Sequence, residues 1–302
     1  MAGRIRRLGI VIALGLVLVF GIVVLAASYS ESGVTCETGA EGLPLTLADF
    51  SAIPQAVIDD ATELAGQLFG DYPEKYDDFV NQLLALYSEA EGKDFVVVFN
   101  PGGWGWNLVE TSPGWWSIFD GINSELESLG YTSLMLNYQR GVDSFLGRLD
   151  ETGEMIIGYQ SQAKDLASRV EFLTAHIPDL KVILAGESTG TILTDSTMKI
   201  LVDNQQVYSI QTGPPFWHRT TMLERTLVLT DNGIVPDSFS RGDILTIIWD
   251  NLKALFGSSE SAGNFGTILR YVEAPGHDYW WQYPGVCSQI TDFLRQNFAI
   301  EQ

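Results

Sequence analysis

Basic residues are scarce in this chain: 17 Lys and Arg stand against 38 Asp and Glu, for a formal net charge of −21. A nucleic-acid partner needs a basic stripe, and electrostatic docking on anionic lipid needs basic residues at the surface. Neither is expected, and the acidity reads as solubility. Histidine and cysteine are scarcer still. Three His and two Cys, widely spaced, offer no metal-ligand cluster, so neither a metal nor a cofactor is expected. No glycine run closes with the G-K-[ST] of a phosphate loop, and no internal repeat or low-complexity segment is present. Cys36 and Cys287 suit an oxidising compartment, either as a disulfide or as two separate thiols.

Lys and Arg are missing altogether between Arg7 and Lys75, and this gap orients the N-terminus. Arg4, Arg6 and Arg7 precede an uncharged apolar run over residues 8–27, about long enough to cross a bilayer as a helix. Glu31, Glu37 and Glu41 follow it. The positive-inside rule therefore keeps residues 1–7 in the cytoplasm and sends the remainder outside. The run exceeds a usual signal-peptide core, which favours a retained anchor; Val24-Leu25-Ala26 keeps a cleaved signal peptide, and hence a secreted protein, as the alternative. Residues 28–45 are small and polar and read as a linker.

Residues 46–92 read as a helical extension of two helices. Val57, Ala61, Leu64 and Leu68 recur at helical spacing, as do Phe79, Leu83, Leu86 and Tyr87, and Pro73 suits a first helical turn. From residue 93 to 302 short β-rich runs alternate with helical ones, the pattern of a mostly parallel sheet with helices on both faces. Strands are expected over 95–99, 132–137, 181–185, 207–211, 226–230 and 267–272, and helices over 116–129, 161–176, 189–202 and 284–298. Their apolar cores are continuous, as in strands covered on both sides. A further apolar helix over 244–256 reads either as a lid or as a crossover helix buried on the sheet.

The densest signal is Gly186-Glu187-Ser188-Thr189-Gly190, directly behind Val182-Ile183-Leu184-Ala185. Strand, G-x-S-x-G and helix in that order make a sharp turn that holds a serine oxygen out at a helix N-terminus, where free N–H groups favour developing negative charge. A serine hydroxyl is a weak nucleophile until a base takes its proton. His176 ends a helix, and His218 comes soon after the serine's strand. His277 stands in Pro275-Gly276-His277-Asp278, past the final strand, where such folds gather reactive groups. A carboxylate must orient that base. Asp231, at the end of the strand over 226–230, is the first choice; Asp237 is the reserve and Asp243 the third. Asp231 also fits a plain cap on the Asn232-Gly233 turn. Two N–H donors are needed for an oxyanion. Thr189 would supply one, and the loop Asn100-Pro101-Gly102-Gly103-Trp104-Gly105 the other, from Gly103 or alternatively Trp104.

These parts, in this order, resemble the α/β-hydrolase superfamily over about residues 94–300. The loop with Pro101-Gly102-Gly103 is similar to that of some peptidase-like and esterase-like members. The resemblance implies Ser188 as nucleophile, His277 as base and Asp231 as orienting acid. The chain departs from the family pattern at one place: the acid commonly stands three before the valine of a D-x-x-V-P turn, and that position here is Asn232. Trp104, Trp106, Trp115, Trp116, Trp217, Tyr279, Trp280 and Trp281 crowd the expected mouth, some as packing and some as an apolar pocket. The expectation is an exported, membrane-tethered serine hydrolase that cleaves an ester or related acyl bond of a small or lipid-like acyl substrate. The competing class is a non-catalytic fold relative acting in binding or as a cell-surface scaffold.

Overall fold

The structure is a computed structural model that describes residues 49–70, 73–141, 151–155, 157–255, 267–268 and 272–299. The chain divides into two units, Met1–Thr38 and Gly39–Gln302. The first lies wholly outside the described residues, as do the expected anchor or signal segment, the linker and Cys36. No helix among the described residues is long and apolar enough to cross a membrane. Among the described residues Cys287 has no disulfide partner.

The second unit is an α/β fold whose described residues include a sheet of five parallel strands. β1 (Phe95–Asn100), β2 (Ser133–Asn137), β3 (Lys181–Glu187), β4 (Val207–Thr212) and β5 (Thr226–Leu229) lie in the order β2-β1-β3-β4-β5. β3 is thus central, with Phe99 opposite Ala185 on one side and Ala185 opposite Ile210 on the other. Every residue of β1 is buried, because alternate side chains serve opposite faces of the sheet. Val96 and Val98 join Val182, Leu184 and Val207 in one core. Phe95, Val97 and Phe99 join Ile183, Ala185 and Ile210 in the other.

Helices close both faces. On the first lie α1 (Gln55–Phe69), α2 (Pro73–Ala90), α4 (Gln160–His176) and α5 (Gly190–Ile200). On the second lie α3 (Pro113–Ser128) and α7 (Pro284–Phe298). α1 and α2, the expected helical extension, place Val57, Ala61, Phe79 and Leu83 in the same buried cluster as β1 and β3. α3 starts three residues before the expected 116, because Pro113 is a first-turn residue rather than a turn breaker.

One expected strand is corrected. Of the run over 267–272, the described residues do not join the parallel sheet; β6 (Thr267–Ile268) and β7 (Val272–Glu273) pair antiparallel with each other. A β-rich run specifies extended backbone but not its partner. α6 (Ile244–Leu255) is tied to β7, the Asn251 side chain donating to the Glu273 carbonyl and accepting its N–H. Its Leu245 and Trp249 are exposed, so that face of the helix is not a sheet cover.

Gly121 of α3 shows how tightly the second face is packed: a Cβ there would lie 2.0 Å from the Trp281 ring. Alanine in an exposed helix gains about 1 kcal/mol over glycine, but overpacking a core costs about 1–3 kcal/mol. Gly121→Ala is therefore expected to lower unfolding stability in a urea titration, whereas Gly153→Ala, with nothing within 4 Å, should not. A stabilised Gly121→Ala would refute the packing of Trp281 on α3.

Candidate active site

β3 ends at Glu187 and α5 begins at Gly190, so the reversal from strand to helix falls on Ser188. Its φ is +48°, a left-handed conformation that costs a non-glycine residue about 1–2 kcal/mol. The surroundings hold it there. Ser188 N donates to the Thr212 carbonyl at 2.9 Å, and the Ser188 carbonyl accepts from Thr191 N at 3.0 Å and Thr191 Oγ1 at 2.6 Å. The flanking glycines are needed for close approach. A Cβ at Gly190 would lie 2.1 Å from the Asn100 carbonyl oxygen, and one at Gly186 2.7 Å from Thr194 Oγ1.

Ser188 Oγ lies 3.1 Å from His277 Nε2, and His277 Nδ1 lies 2.9 Å from Asp237 Oδ2. Nδ1–H donating to the carboxylate leaves Nε2 as the acceptor for the serine hydroxyl. The three side chains come from three different connections and are largely shielded, Asp237 completely so. Asp237 is held by more than the imidazole. Phe239 N and Ser240 N donate to Oδ1, and Ser240 Oγ and Tyr279 OH donate to Oδ2. Burial alone raises its pKa, but the hydrogen bond and charge of His277, then Ser240 and Tyr279, outweigh it and hold the carboxyl below its ordinary range. Burial, reinforced by Asp237, pushes the Tyr279 phenol well up.

The expected role of Asp231 is thereby corrected. Its Oδ1 accepts from Gly233 N at 2.7 Å and its Oδ2 from Arg241 at 2.8 Å, so it caps the turn and forms a surface ion pair. The cause is a detour after β5. Asp231 bridges antiparallel to Pro236, which turns the chain back and brings Asp237, the reserve choice, beneath the imidazole. Asn232 shapes that detour. Buried, it accepts from Ile234 N and Val235 N and donates to the backbone and side chain of Asp278, beside His277. Gly276, at φ +80°, packs directly on the Pro236 carbonyl. The signal that points to Asp237 is Asp237-Ser238-Phe239-Ser240, a carboxylate with turn N–H groups and a hydroxyl two and three residues on. Asp243, the third choice, caps α6 through Thr246.

The loop after β1 lies against the serine from the other side. Thr189 Oγ1 donates to the Gly103 carbonyl at 2.8 Å, and Gly102 N donates to Glu187 Oε2 at 3.2 Å. Burial raises the Glu187 pKa against that bond. Gly103 has φ +62°, and Trp104 stacks on Trp106. Thr189 and Gly103, the expected oxyanion donors, thus sit together at the serine, with Trp104 next along the loop. Sequence reasoning missed Arg140, whose buried guanidinium pairs with Glu151 at 3.0 Å and reaches Thr189 Oγ1 at 3.5 Å, beneath this loop. His176 and His218 stand elsewhere, against Asp60 and Asp195. Among the described residues no group of His, Cys, Asp and Glu is placed to hold a metal ion.

A parallel sheet with a G-x-S-x-G elbow after its central strand and a histidine past its last is the arrangement that the resemblance to the α/β-hydrolases implies. No protein-family model matches the sequence, and no curated protein matches it. Among solved structures, Trichoderma reesei cutinase in complex with a C11Y4 phosphonate inhibitor is similar at a TM-score of 0.42 and 14% identity, over 83% of this chain and 95% of that one. A likeness at that level adds nothing to the topology and the elbow.

The depressed pKa of Asp237 has a definite sign. The unfolded chain returns the group to its ordinary value of 3.8, so its ionisation stabilises the fold above about pH 4, and that contribution is lost as pH falls through the lower folded value. The stability difference between wild type and Asp237→Asn, from urea unfolding at pH 2–6, is expected to be flat above about pH 5 and to shrink below about pH 4. A difference that grows on acidification would overturn the assignment.

Proposed function

We propose that this chain is a serine hydrolase that cleaves an ester or related acyl bond through an acyl-enzyme. The observation that carries the reading is the unbroken relay Ser188 Oγ–His277 Nε2–Asp237 Oδ2, with links of 3.1 and 2.9 Å. In the proposed reaction His277 takes the Ser188 proton as the oxygen bonds to the substrate carbonyl carbon, and Asp237 stabilises the resulting imidazolium. The N–H groups of Thr189 and Gly103 receive the negative charge that develops on the carbonyl oxygen. His277 then gives its proton to the leaving oxygen, and a water molecule repeats the sequence to release the acid.

The same reading includes export. Arg4, Arg6 and Arg7 ahead of the apolar run over 8–27 support placing the domain outside the cytoplasm, as an anchored or a secreted protein. Protease added to intact cells that carry the anchored form would then digest the domain and spare an N-terminal tag.

A fluorophosphonate probe should label the wild type and not Ser188→Ala, and folded protein that resists labelling would sink the proposal. Against p-nitrophenyl esters of graded chain length, Ser188→Ala and His277→Ala are each expected to lower kcat/KM by roughly ten-thousandfold or more. Asp237→Asn should cost about a hundred- to ten-thousandfold. Asp231→Asn should stay within about threefold of wild type, because its carboxylate meets only a turn and a surface arginine.

A further inference from the structure

Phe239 meets the edge of the His277 imidazole at 4.8 Å between ring centroids. Two more rings continue outward from it, Trp217 at 5.4 Å and Phe216 at 6.3 Å, and these contact each other at 5.0 Å. Phe239 is buried, whereas Phe216 and Trp217 are 47% and 50% exposed. Large aromatics left half in water beside a reactive imidazole have area to offer a ligand.

The wall is built rather than incidental. Gly213, at φ +63°, starts the loop against the His277 ring, where a Cβ would lie 2.7 Å from Cε1. The far end is fastened to α5 by Asp195. That carboxylate is 1% exposed; it accepts from Thr221 N at 2.7 Å and meets His218 Nε2 at 3.0 Å and Lys199 Nζ at 2.7 Å. Phe216 also packs on Gly242, in the turn that carries Phe239. The two exposed rings are therefore held on both sides.

Sheet order assigns the wall its half of the substrate. Ser188 follows the central β3. The Gly103 loop follows β1, one strand to one side, while Phe216 and Trp217 follow β4 and Phe239 follows β5, on the other side. The carbonyl oxygen must point to the Gly103 side. The leaving oxygen must lie within reach of His277, on the aromatic side. During acylation the Ser188 Oγ–carbon bond forms and the carbon–alkoxy oxygen bond breaks. The electron pair stays on the alkoxy oxygen, which takes the proton that His277 had received from Ser188. The group carried by that oxygen is the alcohol, not the acyl chain.

We infer that Phe216, Trp217 and Phe239 form a subsite for the leaving alcohol, and that the preferred substrates are esters of bulky apolar or aromatic alcohols. This rests on the serine hydrolase reading and adds to it the half of the ester on which selectivity acts. Hydrophobic discrimination in such a pocket is worth roughly tenfold to two-hundredfold.

Ethyl, benzyl and 2-naphthylmethyl acetates test it, because their alcohols have similar acidity and all three give the same acetyl-enzyme. Wild-type kcat/KM is expected to rise at least about tenfold from ethyl to naphthylmethyl acetate. Trp217→Ala and Phe216→Ala should each lower it about five- to tenfold for naphthylmethyl acetate and less than about twofold for ethyl acetate. Trp217→Phe should recover most of the loss. Hydrolysis of the pre-formed acetyl-enzyme should not change in any of them. Variants that instead reshape the acyl-chain profile of p-nitrophenyl esters, or that slow deacylation, would place the acyl group on this wall and overturn the inference while leaving the hydrolase reading intact. A wild type that labels with fluorophosphonate but is indifferent to the alcohol would do the same. A chain that neither labels nor turns over any ester would take both readings down.

Discussion

The site depends on one strained residue. Ser188 holds a left-handed backbone where β3 ends and α5 begins within three residues, and its neighbours hold it there. Thr212 takes its N–H, Thr191 donates twice to its carbonyl, and α5 packs so close to the end of β1 that no side chain fits at Gly190. A local cost of about 1–2 kcal/mol is small beside the burial of the strands and helices that enforce it. The strain is thus set by the packing of the whole sheet, and the serine oxygen is placed by long-range structure rather than by its own loop.

The partners of Ser188 come together by a different route, through backbone contact between two loops. Gly276 rests on Pro236, and Asn232 bonds Asp278, so the loop bearing His277 and the loop bearing Asp237 are joined on both sides of the imidazole. Asp237 can remain ionised without solvent because five donors converge on it. A lone buried carboxylate would take up a proton; one so surrounded stays charged and fixes the tautomer of the ring. Asp231, 39% exposed and bonded to Arg241, has neither the shielding nor the donors for that role.

What could be read in the sequence follows from how local each cause is. The elbow was legible because strand, glycines and helix are contiguous, and α7 was legible to its ends because Pro284 and the spacing of Val286, Ile290 and Leu294 are local signals. His277 could be picked from its position past the last β-rich run. The choice between Asp231 and Asp237 was not legible, because it depends on the Asp231–Pro236 bridge, a contact across a turn. The run over 267–272 failed for the same reason, since its composition states extended backbone and leaves the pairing to tertiary structure. Arg140 was invisible because its partners, Glu151, Tyr159 and Thr189, lie at three separate distances along the chain.

α5 unites these parts. A helix packed on a sheet normally buries an apolar stripe, but here Thr191, Thr194, Asp195 and Thr197 are all buried. Such residues weaken a helix by their propensity and by desolvation, so each must find a partner. Thr197 bonds back within the helix, and Thr191 closes the Ser188 turn. Thr194 accepts from Asn100, at the root of the Gly103 loop, while its neighbour Asp195 fastens the aromatic loop after β4. Adjacent positions on a helix point about 100° apart, so two consecutive residues brace the loops on opposite sides of the serine. The polar interior of this helix follows from that geometry: Ile192, Leu193 and Met198 pack it on the sheet, while Thr194 and Asp195 fasten the two walls of the site.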